Sequence, residues 1–272
     1  YPFNFYCEDW KNLWEELKRI FVFWIELGVK IFRIDNPHTK PFAFWNWIIT
    51  EVQKDYPDTI FLSEAFTRPK VMKSLCKNGF TQTYTYFTWR NFKQEIIDYF
   101  NEITKPPTAE YMRGNLFTNT PDILPEVLQY GGRPAFKMRA ALATTLSSLW
   151  GMYNGYELCE NKALPGKEEY ADSEKYQYKV WDWDRPGNIK DYIRKLNIIR
   201  KENPALQYYK NLTFYRSDDN NIIFYGKTSP NKKNIIFVAV NLDPYHSHQS
   251  TLYFPLYEMG LKDTQTYIIH NL

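Results

Sequence analysis

The chain has 272 residues, 44% of them hydrophobic, which is enough for one large core or for a core with a small second domain. Its formal net charge of +3 is spread along the chain, with no basic run suited to nucleic acid. The longest apolar run, near residues 20–27, is interrupted by Glu26 and is far too short to span a bilayer.

In chain order, residues 8–27 read as a helix: Leu13, Trp14, Leu17, Ile20, Phe21, Trp24 and Leu27 recur at helical spacing, and Gly28 stops it. Residues 29–34 are rich in β-branched and aromatic residues and read as a buried strand, ending at Asp35-Asn36-Pro37. A helix is expected over 41–54 and a second strand over 59–62, ending in Ser63-Glu64-Ala65. A helix over 69–77, a strand over 83–87 and a helix over 91–103 follow. Next come a strand over 116–118, helices over 123–129 and 134–147, a strand over 150–153 and an amphipathic helix over 188–202. Strands alternating with helices predict an α/β fold with a parallel sheet. After that the pattern changes. Strands expected over 212–216, 222–226, 235–240 and 250–254, joined by polar turns, read as a small antiparallel β domain. The expected division is 1–206 for the α/β part and 207–272 for the β domain.

Three cysteines, Cys7, Cys76 and Cys159, show neither metal-ligand spacing nor a disulfide framework, so reduced thiols in a cytoplasmic setting are expected. The 22 Tyr, 19 Phe and 9 Trp exceed what a core needs. Flat rings suit the apolar faces of sugars, although an aromatic-rich core is an equally good account of composition alone.

Asp35, Glu64 and Asp122 each sit at, or just past, the C-terminal end of an expected strand. That is the face on which parallel α/β barrels build active sites. Singly, each acid also fits a helix cap or a solvated surface charge. Arg33 shares a strand face with Asp35, and a guanidinium beside a carboxylate favours the ionised acid that a nucleophile must be. A structural ion pair is the plainer alternative. Two carboxylates on neighbouring strands can flank a glycosidic bond, one attacking and one acting as acid then base. The four histidines give no support to serine–histidine chemistry; His38 alone lies near these acids, and it fits a hydrogen-bonded turn equally well.

At these residues the sequence resembles the α-amylase superfamily, glycoside hydrolase family 13. More narrowly, it resembles the bacterial α-1,4-glucan:maltose-1-phosphate maltosyltransferases. The motifs are Gly28 to Pro41 around Arg33-Ile34-Asp35-Asn36-Pro37-His38-Thr39, Ser63-Glu64-Ala65-Phe66-Thr67-Arg68-Pro69, Tyr84-Thr85-Tyr86-Phe87-Thr88-Trp89-Arg90, Asn119-Thr120-Pro121-Asp122-Ile123-Leu124 and Ser173-Glu174-Lys175-Tyr176. The resemblance implies Asp35 as nucleophile, Glu64 as general acid/base and Asp122 as the carboxylate that stabilises the transition state. It implies Asn36 as a substrate contact beside the nucleophile, and Lys175 and Tyr176 as a pair that holds the donor's sugar; Arg33, on the same strand face as Asp35, is expected among the substrate-binding residues too. Ordinary amylases carry His where this chain has Thr39 and Pro121, and both departures match the maltosyltransferase pattern.

The fold implied is the C-terminal part of a (β/α)8 TIM barrel, about five of its eight strand–helix units, followed by the β domain. A fragment of a longer protein is therefore expected, inactive alone and with apolar surface exposed. The activity implied is retaining transfer of maltosyl units from α-maltose 1-phosphate to an α-1,4-glucan, with no cofactor and no metal. Expected partners are those two substrates, with neither nucleic acid nor membrane. A homodimer is carried as an expectation for the full-length enzyme, although the sequence fixes no oligomeric state. The alternatives are another hydrolase or transglycosylase of the same superfamily, or a non-catalytic glucan-binding protein.

Overall fold

The computed structural model describes residues 3–272. In chain order its elements are α1 (Trp10–Glu26), β1 (Ile31–Asp35), α2 (Phe42–Asp55), β2 (Ile60–Glu64), α3 (Pro69–Lys77), β3 (Gln82–Tyr84), α4 (Lys93–Thr104) and β4 (Gly114–Phe117). They continue with α5 (Glu126–Tyr130), α6 (Gly132–Leu146), β5 (Leu149–Gly151), α7 (Lys190–Glu202), β6 (Leu212–Tyr215), β7 (Ile222–Thr228) and β8 (Ile235–Asn241). The first five strands form one sheet in the order β1-β2-β3-β4-β5, and β6-β7-β8 form a second. The pairings β1–β2, β2–β3 and β3–β4 are parallel, whereas β6–β7 and β7–β8 are antiparallel. This is the α/β arrangement followed by a small antiparallel sheet that the sequence predicts. No described helix is long and apolar enough to cross a membrane.

The chain divides into two compact units. One runs to Tyr86 and takes in Lys105–Asn115; the other comprises Phe87–Thr104 and Leu116–Leu272.

In the first unit, α1 turns Leu13, Leu17, Phe21 and Ile25 toward a core built around Trp14, Phe44, Trp45, Ile48, Ile49, Val52 and Phe61. These four recur every fourth residue, which places them on one face of a helix. Gly28, at φ +98°, then reverses the chain where an L side chain would be strained. In β1 the even residues Phe32 and Ile34 pack on this core, and Phe32 stacks on the fully buried Phe61 of β2 at 5.9 Å. Burying a Phe side chain contributes about 1.5–3 kcal/mol. Alternation then puts the odd residues, Arg33 and Asp35, on the opposite face. The core therefore fixes β1's face, and register pairing from Ile31↔Ile60 to Asp35↔Glu64 fixes its height against β2. The outer face of α1 exposes Ile20, Phe23 and Trp24, Leu27 is exposed just past its end, and Ile31 is exposed on β1, which stands first in the sheet order.

In the second unit, α6 is buried along most of its length, with Phe136 and Ala140 packed among Leu124, Leu128, Tyr156, Ile193 and Leu196. Arg139 of α6 is fully buried; it donates to the carbonyls of Phe87 (2.5 Å) and Arg90 (2.6 Å), and its guanidinium lies 3.7 Å from the Phe87 ring centre. Burial pulls this guanidinium down to about 10.

Two expectations fail locally. The third strand, expected over 83–87, ends at Tyr84, and Tyr86–Trp89 form a 3-10 helix instead. Arg139 takes the Phe87 carbonyl that a longer strand would have offered to a neighbour. No strand forms over 250–254: Ser217↔Leu252 is an isolated bridge, flanked by single backbone bonds from Asp218 N–H to Thr251 O and from Tyr253 N–H to Arg216 O. Pro255, with no N–H, prevents the ladder from continuing.

Candidate active site

Asp35 closes β1 and Glu64 closes β2 at the same register position, so two acids stand side by side at the C-terminal ends of adjacent parallel strands. Arg33 lies one alternation below Asp35 and serves both acids. Its Nη1 donates to Asp35 Oδ1 at 2.8 Å, and its Nη2 is 3.6 Å from Glu64 Oε1. The two carboxylates differ sharply in surroundings: the Asp35 side chain is 64% exposed, that of Glu64 only 8%. The outer acid can meet a substrate from solvent, while the inner one is held in protein.

Asn36 frames the pair from above. It adopts the left-handed conformation (φ 46°, ψ 48°), which Asn tolerates better than most residues. Its backbone N–H donates to the Glu64 carbonyl at 3.1 Å and toward Glu64 Oε2 at 3.4 Å, while its Nδ2 donates to Asp35 Oδ2 at 3.2 Å. The 3-10 turn Pro37–Thr39 that follows is pinned by Trp45 Nε1, donating to Pro37 O at 2.8 Å. His38 lies in this turn, with Nδ1 buried and without a hydrogen-bond partner among the described residues.

Below Arg33 sits Tyr84, the last residue of β3, buried, with its ring centre 5.8 Å from the guanidinium. Burial alone would lower the Arg33 pKa. Hydrogen bonding with Tyr84, the Glu64 charge and the bond to Asp35 outweigh it and hold the group above its usual value. The Tyr84 hydroxyl is pushed up, first by burial, with Arg33 opposing and the Glu64 charge adding to the rise. The spacing of Arg33 and Tyr84 in the sequence gives no hint of that contact. Trp89 Nε1 donates to Glu168 at 2.7 Å.

Asp122, Lys175 and Tyr176 lie in the second unit. Asp122 is in the loop after β4, five residues beyond the strand's end at Phe117, not at the strand tip itself. Its backbone N–H donates to the Thr120 hydroxyl oxygen at 3.1 Å. The Lys175 ammonium donates to Asp122 Oδ1, and that bond is the main reason the Lys175 pKa is raised. Asp122, Lys175 and Tyr176 line a cavity of about 320 Å³ together with Tyr170, Ser173 and Glu169. Tyr176 is highly exposed, with the Lys175 ammonium 5.4 Å from its ring centre. Beside this pair the sequence shows no reason to single out Glu174. The structure makes it a hydrogen-bond centre, accepting from Tyr153 Oη, Asn154 Nδ2 and Trp181 Nε1. Only the tertiary fold brings those donors together. No group of three or more His, Cys, Asp or Glu among the described residues could hold a metal ion.

The chain is similar to known proteins. Residues 214–272 match the family described as "GLGE, C-terminal". Over 269 residues the chain is 55% identical to the alpha-1,4-glucan:maltose-1-phosphate maltosyltransferase of Myxococcus xanthus, covering 97% of this chain and 40% of the relative. Over 262 residues it is 58% identical to the protein of the same name from Rhodospirillum rubrum, covering 96% and 38%. The chain thus spans about two-fifths of the length of these relatives. Among solved structures, the alpha-amylase from Geobacillus thermoleovorans complexed with acarbose superimposes with a TM-score of 0.71 at 16% identity, covering 87% of this chain and 54% of that one. The alpha-amylase from H. orenii gives 0.67 at 16% identity, covering 85% and 55%. At that identity the likeness speaks for the fold alone.

Proposed function

The chain belongs to the α-1,4-glucan:maltose-1-phosphate maltosyltransferases of the α-amylase superfamily, and on that footing we propose that its protein transfers maltosyl units from α-maltose 1-phosphate to the non-reducing end of an α-1,4-glucan. In this reading an Asp35 carboxylate oxygen attacks the anomeric carbon of the donor. The carbon–oxygen bond to phosphate breaks, and its electron pair leaves with the phosphate. Phosphate is a good leaving group, so the step asks little protonation of Glu64. In the second step the acceptor's 4-hydroxyl attacks the same carbon, its proton passes to Glu64, and the ester bond to Asp35 breaks. Two inversions give net retention.

The observation that carries this reading is the in-register Asp35–Glu64 pair joined through Arg33. Neighbouring strands lie about 4.8 Å apart, close to the roughly 5–5.5 Å separation of carboxyls in retaining enzymes and short of the roughly 6.5–9.5 Å that an inverting enzyme needs for its water. The exposed acid suits the nucleophile, which must reach the sugar. The buried acid suits the proton carrier, shielded from bulk water. Asp122 is assigned to stabilising the oxocarbenium-like transition state, and Arg33, Asn36, Lys175 and Tyr176 to holding substrate. The β domain is assigned to residues 207–272, a boundary supported by the end of α7 at Glu202 and the start of β6 at Leu212.

The test uses the full-length gene product with maltose 1-phosphate and a maltooligosaccharide. Phosphate release should accompany glucan growth two glucose units at a time, and Asp35→Asn should abolish both while thermal unfolding stays cooperative. Free maltose as the main product would assign the protein to hydrolysis instead. Undiminished turnover in Asp35→Asn would remove the nucleophile.

A further inference from the structure

We propose that Glu174 is a positioning residue for donor recognition, its carboxylate anchoring the segment that presents Lys175 and Tyr176. The assignment rests on the reading above that those two residues hold the donor's sugar. Glu174 is partly buried, between the buried Ser173 and the exposed Lys175 and Tyr176. Lys175 and Tyr176 present their side chains outward, while the Glu174 carboxylate turns in and is met by three side chains. Tyr153 Oη donates to Oε2 at 3.0 Å, Trp181 Nε1 donates to Oε1 at 2.8 Å, and Asn154 Nδ2 reaches both oxygens at 3.2 and 3.3 Å. Tyr153 and Asn154 follow β5, so the carboxylate ties the Ser173–Tyr176 segment to the end of that strand.

The surroundings are built for this bond. Trp181 reaches Glu174 across Gly155, where an added Cβ would lie 2.4 Å from the indole, and Gly155 has φ +88°. The Lys179 ammonium covers the other part of the indole at 4.2 Å from the ring centre. Burial works against the Glu174 charge, yet the Trp181, Asn154 and Tyr153 donors and the Lys179 charge keep its pKa below the usual carboxylate range. The backbone completes the clamp: the N–H groups of Tyr176 and Gln177 both donate to Ser173 O, at 3.0 and 3.2 Å. With one end of this turn fixed, Lys175 and Tyr176 have little freedom in where their Cα atoms sit. Pre-organisation of that kind lowers the cost of ordering them on a ligand. A group that only holds ligand contacts in place should act on binding more than on chemistry.

The experiment compares Glu174→Gln and Trp181→Phe in the full-length gene product, measuring kcat, the KM for maltose 1-phosphate and the KM for the acceptor. Glu174→Gln replaces charge-assisted bonds with neutral ones and should raise the donor KM about tenfold. Trp181→Phe keeps the ring, removes one donor and should raise the donor KM about threefold. In both, kcat and the acceptor KM should change by less than about twofold, and in a Lys175→Ala, Tyr176→Phe background Glu174→Gln should add nothing further. An unchanged donor KM in either folded variant, or an undiminished Glu174→Gln effect in that background, overturns the assignment. Should Glu174→Gln not fold, Trp181→Phe decides. A wild-type protein that does not turn over maltose 1-phosphate removes the functional reading and this assignment with it; wild-type turnover with unchanged variants removes this assignment alone.

Discussion

Replacing Arg33 with Met keeps the unbranched stem of the side chain as far as its fourth atom and removes the guanidinium that lies between two acids. The structure sets the size of the effect. Toward Asp35, 64% exposed, water screens the pair, and the bond is worth about 1 kcal/mol at most. Toward Glu64, 8% exposed, two unit charges roughly 4 Å apart at an effective dielectric near 20 attract by about 4 kcal/mol. Arg33 itself is 36% exposed, so about half of that figure is a fair allowance. Without the guanidinium the two carboxylates repel, and the exposed one is free to swing toward solvent, away from attack geometry. A loss of about 3 kcal/mol corresponds to a fall of roughly 100-fold in kcat/KM. Arg33→Lys keeps the charge but has no fork to reach both acids, and a fall of about tenfold is expected. The assay is phosphate release from maltose 1-phosphate with acceptor present, run beside thermal unfolding to confirm the fold. A kcat/KM for Arg33→Met within threefold of wild type would refute the claim that Arg33 couples the two carboxylates.

Phe61→Ala, on the core face of β2, should destabilise the protein by about 3–5 kcal/mol, read as a lower urea midpoint, because Phe61 is fully buried against Phe32 and Phe21. The Lys227 amine is buried with no hydrogen-bond partner among the described residues; burial, and then the nearby Arg200 charge, pull it down to about 7 from its usual 10.5. Between those values the unfolded chain binds the extra proton, so Lys227 makes stability rise with pH from about 7 to 10.5, and Lys227→Met should remove that slope from a pH series of chemical denaturation. His248 behaves in the opposite sense. Its ring nitrogens meet Asp243 Oδ2 at 2.9 Å and Asp219 Oδ2 at 3.0 Å, and hydrogen bonds to these two aspartates raise its pKa above 6.5. Its contribution is complete below 6.5 and is lost as pH rises through the higher folded value, so the hydrogen-exchange protection of the segment around residues 243–250, taken relative to the intrinsic exchange rate at each pH, should fall over that span, and His248→Gln should flatten the response.

The residues that carry the candidate chemistry announce themselves in the sequence because strand alternation is local. The apolar pair Phe32 and Ile34 determines where Arg33 and Asp35 must face, and the apolar run before Ser63-Glu64 does the same for the second acid. The strand–helix alternation and the change to antiparallel strands after α7 are legible for the same reason: hydrophobic period is set by neighbours within a few residues. What the sequence leaves open depends on atoms far along the chain. The 3-10 turn that replaces the end of the expected third strand is bound at the Phe87 carbonyl by Arg139, 52 residues further along. The role of Tyr84 depends on a guanidinium two strands away in the sheet order, and that of Glu174 on donors at Tyr153, Asn154 and Trp181 that share no periodic relation with it. Local pattern fixes which face a side chain occupies. Which partner waits on that face is decided when the strands take their register and the loops close over them, since hydrogen bonds and ion pairs act across a few ångströms of space whatever the separation in sequence.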